Sequence, residues 1–300
     1  MPGLKFGDIK EAVRASASGE TSSDVLGKDC HPIAIIKGDD RRFHNKLLFL
    51  DSRDHPVGTK TSITLPDDCQ FHYLPTTHED KRFIGYLAGA SGSGKSWMAR
   101  QIANNYRKMF PDRPVYLLSK LEEDETIDGM EGGKPIRLDY KRWVEEGPPD
   151  INTLTNSLVI ADDYDTIDGV EGKIIENWLN DIAIMGRKHT DNQGNVSLLC
   201  LTHYLTNFKR TRLLLCESSF YVVYPTATSA HALRYLLKNY MGLEDDVIRR
   251  LRKMGRYVVC HKQYPQYLMS SHECTLLHHD DEEEPTKNYR VPEHTRVKRG

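Results

Sequence analysis

The sequence predicts an α/β fold: a mostly parallel central sheet flanked by helices, with a small β-rich N-terminal region before it and a hairpin at its C-terminal end. Three observations predict it. Short apolar runs of strand type alternate with longer segments whose apolar residues recur at spacings of three and four. The first of the main runs leads directly into a glycine-rich turn, Gly89-Ala-Ser-Gly-Ser-Gly-Lys-Ser96. The third ends in adjacent acids, Asp162 and Asp163, and ligands of open α/β sheets bind at the carboxyl ends of strands.

The turn fits G-x-x-x-x-G-K-[ST], the phosphate-binding loop of nucleoside triphosphatases. Phe83 to Ala88 is the strand before it. Lys95 to Phe110 reads as the helix behind it, with Met98, Ile102, Tyr106 and Met109 on one stripe. A Gly/Ser linker is the bland alternative, and linkers are not framed by apolar periodicity on both sides. The backbone from Gly89 through Ala90, Ser91, Gly92, Ser93 and Gly94 to Lys95 and Ser96 is expected to wrap a polyphosphate, at the positive end of a helix. Glycine at 89, 92 and 94 allows backbone shapes and close approaches that a Cβ would obstruct. Lys95 is expected to reach the β- and γ-phosphates, and the Ser96 hydroxyl to ligate Mg²⁺. ATP with Mg²⁺ is the expected ligand, although no residue marks adenine over guanine.

Three hundred residues suffice for one large domain, or for one with a smaller partner. A formal net charge of -2 argues against a uniformly basic polymer binder and leaves room for a local basic groove. The six cysteines form no C-x-x-C pair, and Cys200, Cys216 and Cys260 are expected as reduced core residues of an intracellular protein. Cys69-x-x-His72, near His78, lacks a fourth ligand at zinc spacing. No apolar run approaches the length of a membrane span and no signal-peptide core is seen, so no membrane partner is expected.

Along the chain, residues 1–25 read as a mobile polar arm with a helical turn near Ile9 to Val13. Residues 26–80 hold four short apolar stretches, Ile33 to Ile36, Lys46 to Leu50, Ser62 to Leu65 and Gln70 to Leu74, expected as a small antiparallel region. Residues 81–277 form the expected nucleotide domain. Val115 to Ser119 is its second strand, reached by a right-handed crossover. Glu122 to Pro149 is acidic, glycine-rich and expected at the surface.

Leu158 to Ala161 is a buried third strand presenting Asp162 and Asp163. Asp162 is assigned to the Mg²⁺ shell and Asp163 to water activation, with Asp165 in reserve. Adjacent strand residues point oppositely, so both acids can serve only if the strand ends between them. Val170 to Gly186 is the clearest helix, and Arg187-Lys-His189 after it complements the helix dipole. Val196 to Leu201 is a fourth strand ending in Thr202-His203. Lys209, Arg210 and Arg212 start the next segment, and Phe220 to Tyr224 is a fifth strand. Helices are expected over Ser229 to Tyr240 and Glu244 to Met254. The basic end of the second is explained almost as well by its dipole as by nucleic acid. Arg256 to Cys260 and Tyr267 to Ser271 suggest a terminal hairpin, and residues 278–300 a disordered charged tail.

On Gly89 to Ser96, Val115 to Lys120 with Glu123-Asp124, Leu158 to Asp163, Gly186-Arg187 with His189, Leu201 to His203, and Arg212, the chain resembles the genome-packaging ATPases of large DNA viruses and of related virus-like mobile elements. These belong with the FtsK–HerA group of ring translocases, and the likeness spans about residues 82–277. It implies strand order 5-1-4-3-2, with Thr202 and His203 as a γ-phosphate sensor pair. A Gln usually stands where His203 stands here, and Asp163 is one methylene shorter than the Glu of the wider group. The resemblance also implies an arginine supplied by a neighbouring subunit, with Arg212 favoured, then Arg187, and Arg210 also available. By the same likeness the partners are sequence-nonspecific double-stranded DNA, further copies of the chain in a hexameric or pentameric ring, and a capsid or portal protein. The setting is the viral assembly site in the host cell, or the virion. Two other readings use the same loop: a small-molecule kinase with a lid near Arg249 to Arg256, and a partner-dependent NTP-binding switch.

Overall fold

The computed structural model describes residues 2–8, 30–43, 46–53, 60–75, 82–187, 194–207 and 210–277. Five strands precede the phosphate loop region: β1 (Gly3–Asp8), β2 (Cys30–Gly38), β3 (Lys46–Asp51), β4 (Ser62–Thr64) and β5 (Cys69–Tyr73). Four of them form an antiparallel sheet in the order β1-β3-β2-β5.

The chain then alternates. In order come β6 (Ile84–Ala88), α1 (Lys95–Met109), β7 (Val115–Ser119), α2 (Glu125–Asp128), β8 (Ile136–Arg137) and α3 (Trp143–Glu146). They are followed by β9 (Leu158–Asp162), α4 (Gly169–Met185), β10 (Ser197–Thr202), α5 (Arg212–Glu217) and β11 (Phe220–Val223). Last come α6 (Ala230–Met241), α7 (Asp245–Leu251), β12 (Val258–His261), β13 (Tyr267–Met269) and β14 (Glu273–Leu276).

Five of these strands, β11-β6-β10-β9-β7, lie side by side and parallel. Numbered along the sequence that order is 5-1-4-3-2, as expected. Every residue of β6, β9 and β10 is buried, because helices cover both faces of the sheet. Leu87, Ile160, Leu199 and Leu201 pack with Met98, Ala99 and Ile102 of α1. Val159, Leu198 and Cys200 point the other way, onto Ile175, Trp178, Leu179 and Ile182 of α4. Strand alternation thus sorts one apolar run into two cores.

The structure corrects several expectations. Gly3–Asp8 is not part of a mobile arm: it pairs with β3 over its whole length. The rest of that arm, its helical turn, and the tail after residue 277 lie outside the described residues, as do His78, Lys188, His189 and Lys209. Ser62–Thr64 leaves the small sheet and pairs with β14 at the edge of the large one. The C-terminal hairpin is a three-stranded antiparallel meander, so the large sheet has ten strands, β4-β14-β13-β12-β11-β6-β10-β9-β7-β8. Within the acidic surface segment, Ile136–Arg137 adds a short parallel edge strand beside β7. Cys216 is exposed near the end of α5, whereas Cys200 and Cys260 are buried.

The small sheet rests on α1. Leu4, Ile33, Leu48 and Phe71 share an apolar cluster with Ile102 and Tyr106, and the Asn105 amide donates to the Tyr73 carbonyl at 2.8 Å.

Candidate nucleotide-binding site

The phosphate loop leaves β6 at its carboxyl end and returns as α1. Its base is fixed by Gly89, whose N–H donates to the Thr202 carbonyl of β10 at 3.1 Å. A Cβ on Gly89 would lie 2.8 Å from both the Ser93 hydroxyl oxygen and the Tyr224 ring, so only glycine lets the loop close there. Gly94 adopts φ 109 immediately before the helix, the left-handed side that glycine tolerates. Ala90, Ser91 and Gly92 are exposed at the tip, while Ser93 and Lys95 are buried. Lys95 is only 6% exposed, and its ammonium donates to the Gly89 carbonyl at 2.9 Å. Ser96 follows on the first turn of α1, whose leading N–H groups face the loop.

The two acids stand beside this lysine. Strand β9 ends at Asp162, and Asp163 adopts φ 47, ψ 30. That left-handed turn, which Asp tolerates better than most residues, breaks the alternation that would have pointed the Asp163 carboxylate to the other face. Its Oδ1 lies 3.8 Å from Lys95 Nζ and its Oδ2 lies 3.0 Å from His203 Nε2. Asp162 is 4% exposed and accepts a hydrogen bond from the Ser119 hydroxyl at 3.0 Å. Burial, reinforced by the charge of Asp163, pushes its carboxyl up to about 6. Two carboxylates drawn together against desolvation are under-neutralised, which fits a site for a hard cation. Among the described residues no three His, Cys, Asp or Glu side chains form a metal cluster. The Ser96 hydroxyl and the Asp162 carboxylate suit the other arrangement, in which Mg²⁺ keeps few protein ligands and takes phosphate oxygens.

The remaining predicted residues separate. His203 joins the acids, and its backbone N–H donates to Asp165 Oδ2 at 3.0 Å. Asp165, held in reserve as a base, is therefore the group that fixes the His203 backbone, and burial raises its own carboxyl. Thr202 does not present its side chain as a sensor would: it is fully buried and its hydroxyl donates to the Tyr204 carbonyl at 2.9 Å. Its carbonyl, and not its hydroxyl, bonds the loop, at Gly89. The cause is strand alternation, which turns Thr202 toward the α4 side with Leu198 and Cys200.

Of the arginines, Arg210 is used within its own chain. It pairs with Glu176 and donates to the Asp165 and Ile167 carbonyls, both at 3.2 Å. Arg187 is exposed and pairs with Glu217 at 3.5 Å. It lies at the end of the sheet opposite the phosphate loop, because the preceding Gly186 accepts from the Val196 N–H where β10 begins. Arg212 is exposed at the start of α5.

Arg256 was missed. It lies just ahead of β12, yet its guanidinium donates to the Ser93 carbonyl at 3.2 Å and the Gly92 carbonyl at 3.1 Å. Nothing local in the sequence distinguishes it from the helix-terminal arginines before it. Arg250 is equally fixed, on Glu273 and Thr275 of β14, so the basic segment Arg249 to Arg256 is tied to the sheet and not hinged as a kinase lid.

Strand order and loop geometry together define a P-loop NTPase fold with an additional strand between the phosphate-loop strand and the acid-bearing strand. No family model matches the chain. Over 250 residues it is 28% identical to uncharacterized protein V3 of the Sputnik virophage, spanning 81% of this chain and 94% of that protein. Similar solved structures include the genome packaging NTPase B204 of Sulfolobus turreted icosahedral virus 2 in complex with sulfate, at 12% identity and TM-score 0.43, covering 64% of this chain and 96% of B204. Another is the pCW3 conjugation coupling protein TcpA in its monomer form with ATPγS, at 12% identity and TM-score 0.40, covering 89% and 84%. A third is the cytoplasmic domain of the Type VII secretion ATPase EccC of Thermomonospora curvata, at 14% and 0.42, covering 73% and 29%. Among the described residues no helix is long and apolar enough to cross a membrane.

Proposed function

We propose that this chain is an oligomeric, Mg²⁺-dependent ATPase that moves double-stranded DNA into a preformed viral capsid. The observation that carries the reading is the meeting of Lys95 and Asp163 at 3.8 Å, with buried Asp162 alongside, at the mouth of the phosphate loop. A lysine and two acids brought together from different elements are the parts needed to hold a triphosphate and activate water against it.

The geometry supports the following roles. The loop backbone and Lys95 bind the polyphosphate. Ser96 and Asp162 would hold Mg²⁺, which would neutralise phosphate charge. Asp163 orients and deprotonates the attacking water through Oδ1, which has no hydrogen-bond donor, because Oδ2 is already occupied by His203. His203 therefore acts as the positioning residue for the base, and it can donate to phosphate when the pair opens.

Arg210 is half-buried on Glu176 and the Asp165 and Ile167 carbonyls, whereas Arg212 and Arg187 are exposed, where the site of a neighbouring copy could reach them. A ring of such sites explains why an isolated subunit should hydrolyse slowly. Residues 82–277 form the motor unit, with the small sheet resting on α1. The likeness to a virophage protein over 81% of this chain supports a viral setting, with assembly in the host cell and docking to a capsid or portal protein. DNA would be gripped through its phosphates, with little base preference and strong salt dependence.

The test is ATP turnover by the assembled oligomer, whose native mass is measured in parallel, with and without duplex DNA. Stimulation by DNA that moderate salt abolishes is expected. Equal turnover in both samples overturns the motor reading.

A further inference from the structure

Beside the phosphate loop stands an aromatic and cationic group that the roles above leave unused. Trp97 follows Ser96 directly on the first turn of α1 and is 41% exposed, unlike Trp143 and Trp178, which are buried against each other. Side chains on a helix lean toward its N-terminus, so the indole lies over the loop end of α1. Behind it is Tyr257, with ring centroids 6.1 Å apart and planes at 49°. Tyr257 packs on the core beneath and stays neutral, burial holding its hydroxyl up at about 12. The residue before it is Arg256, whose guanidinium grips the Gly92 and Ser93 carbonyls. The segment entering β12 thus ties the aromatic pair and the loop into one unit.

We propose that Trp97 is the platform on which the nucleobase of the bound triphosphate stacks, with Tyr257 supporting the indole and Arg256 fixing the loop against it. The inference rests on the nucleotide-site reading and adds the part of the ligand that the loop does not contact. A triphosphate wrapped by residues 89–96 places its nucleoside end outside the loop, next to the first helical turn. An indole face held there by a core-anchored tyrosine offers apolar area at little entropic cost. It also explains why no side chain marks adenine over guanine. Stacking uses the π-face that every base has, and purines offer the largest.

The experiment compares two ligands on the full chain, ATP and inorganic tripolyphosphate, both with Mg²⁺. Trp97→Ala should weaken ATP binding by about tenfold or more, the usual size of a lost base–aromatic stack. Tripolyphosphate affinity should stay within about twofold, which also shows that the loop is still folded. Trp97→Phe should keep most of the ATP affinity while removing the ATP-induced quench of tryptophan emission. Unchanged ATP affinity in Trp97→Ala overturns the inference and leaves the nucleotide site standing, and dissociation of the oligomer in that variant would then assign Trp97 to a subunit contact. Equal weakening of both ligands also overturns it. A wild-type protein that binds neither ligand overturns the nucleotide site itself and this inference with it.

Discussion

His203 Nε2 stands 3.0 Å from one oxygen of the Asp163 carboxylate, while the other oxygen faces Lys95 Nζ at 3.8 Å. The two contacts fix the carboxylate plane. The oxygen on the lysine side is buried and has no hydrogen-bond donor, and it is the one that would act on water in the role proposed above. A base held this way depends on its positioning partner as much as on its own acidity.

His203→Ala should therefore lower ATP turnover about tenfold to a hundredfold while nucleotide affinity changes less than about threefold, the signature of lost positioning. His203→Gln, which keeps a side-chain N–H, should recover much of the rate. Single-turnover hydrolysis beside equilibrium nucleotide binding separates the two effects. Equal loss in both variants would argue that imidazole chemistry itself is required.

Lys95→Ala should abolish nucleotide binding, because its ammonium is the one buried positive charge on the loop. Asp163→Asn should bind nucleotide and lose hydrolysis by about a hundredfold or more. Titration with a non-hydrolysable analogue, followed by phosphate release, measures each. Normal hydrolysis by Asp163→Asn would transfer the base role to another residue, Asp165 being the nearest acid to His203.

Asp162 makes stability depend on pH in a definite direction. Its carboxyl is pushed up to about 6 from 3.8, so between these values the folded protein holds a proton that the unfolded chain has released. Stability from this group is full below about pH 4, falls as pH rises toward 6, and stays lower above it. In EDTA, Asp162→Asn should therefore stabilise the protein by about 2 kcal/mol at pH 8 and by little at pH 4. Denaturant melts at the two pH values check it, and an equal effect at both would mean the carboxyl is not strained by burial.

The arginine roles differ in kind. Arg210→Ala should cost about 2 kcal/mol or more of stability, since it strands Glu176 and frees two buried carbonyls. Arg212→Ala should leave folding intact and lose hydrolysis. Mixed with Lys95→Ala subunits, it should recover activity, because each variant supplies what its neighbour lacks. No recovery in the mixture, with recovery for Arg187→Ala instead, would move the role to Arg187.

The loop, its helix and the position of the double acid were legible in the sequence because each is a local pattern. Glycines mark the backbone shape at Gly89 and Gly94, the stripe Met98, Ile102, Tyr106 marks the buried face, and four apolar residues before Asp162 mark a covered strand. The small sheet was only partly legible: β2, β3 and β5 were read as strands, but Gly3–Asp8 has too little apolar character to announce one. It becomes a strand because β3 offers it a partner across the intervening chain.

The sequence by itself determined which residues could cradle a phosphate and which acids could face it, since backbone freedom, side-chain charge and strand burial are written into neighbouring residues. Tertiary structure alone decided how those groups are aimed. It turned Asp163 back toward Lys95, faced Thr202 away from the loop, spent Arg210 on Glu176, and brought Arg256 onto the loop from 163 residues away. Such choices depend on strand register and packing between distant segments, and no short-range pattern carries that information.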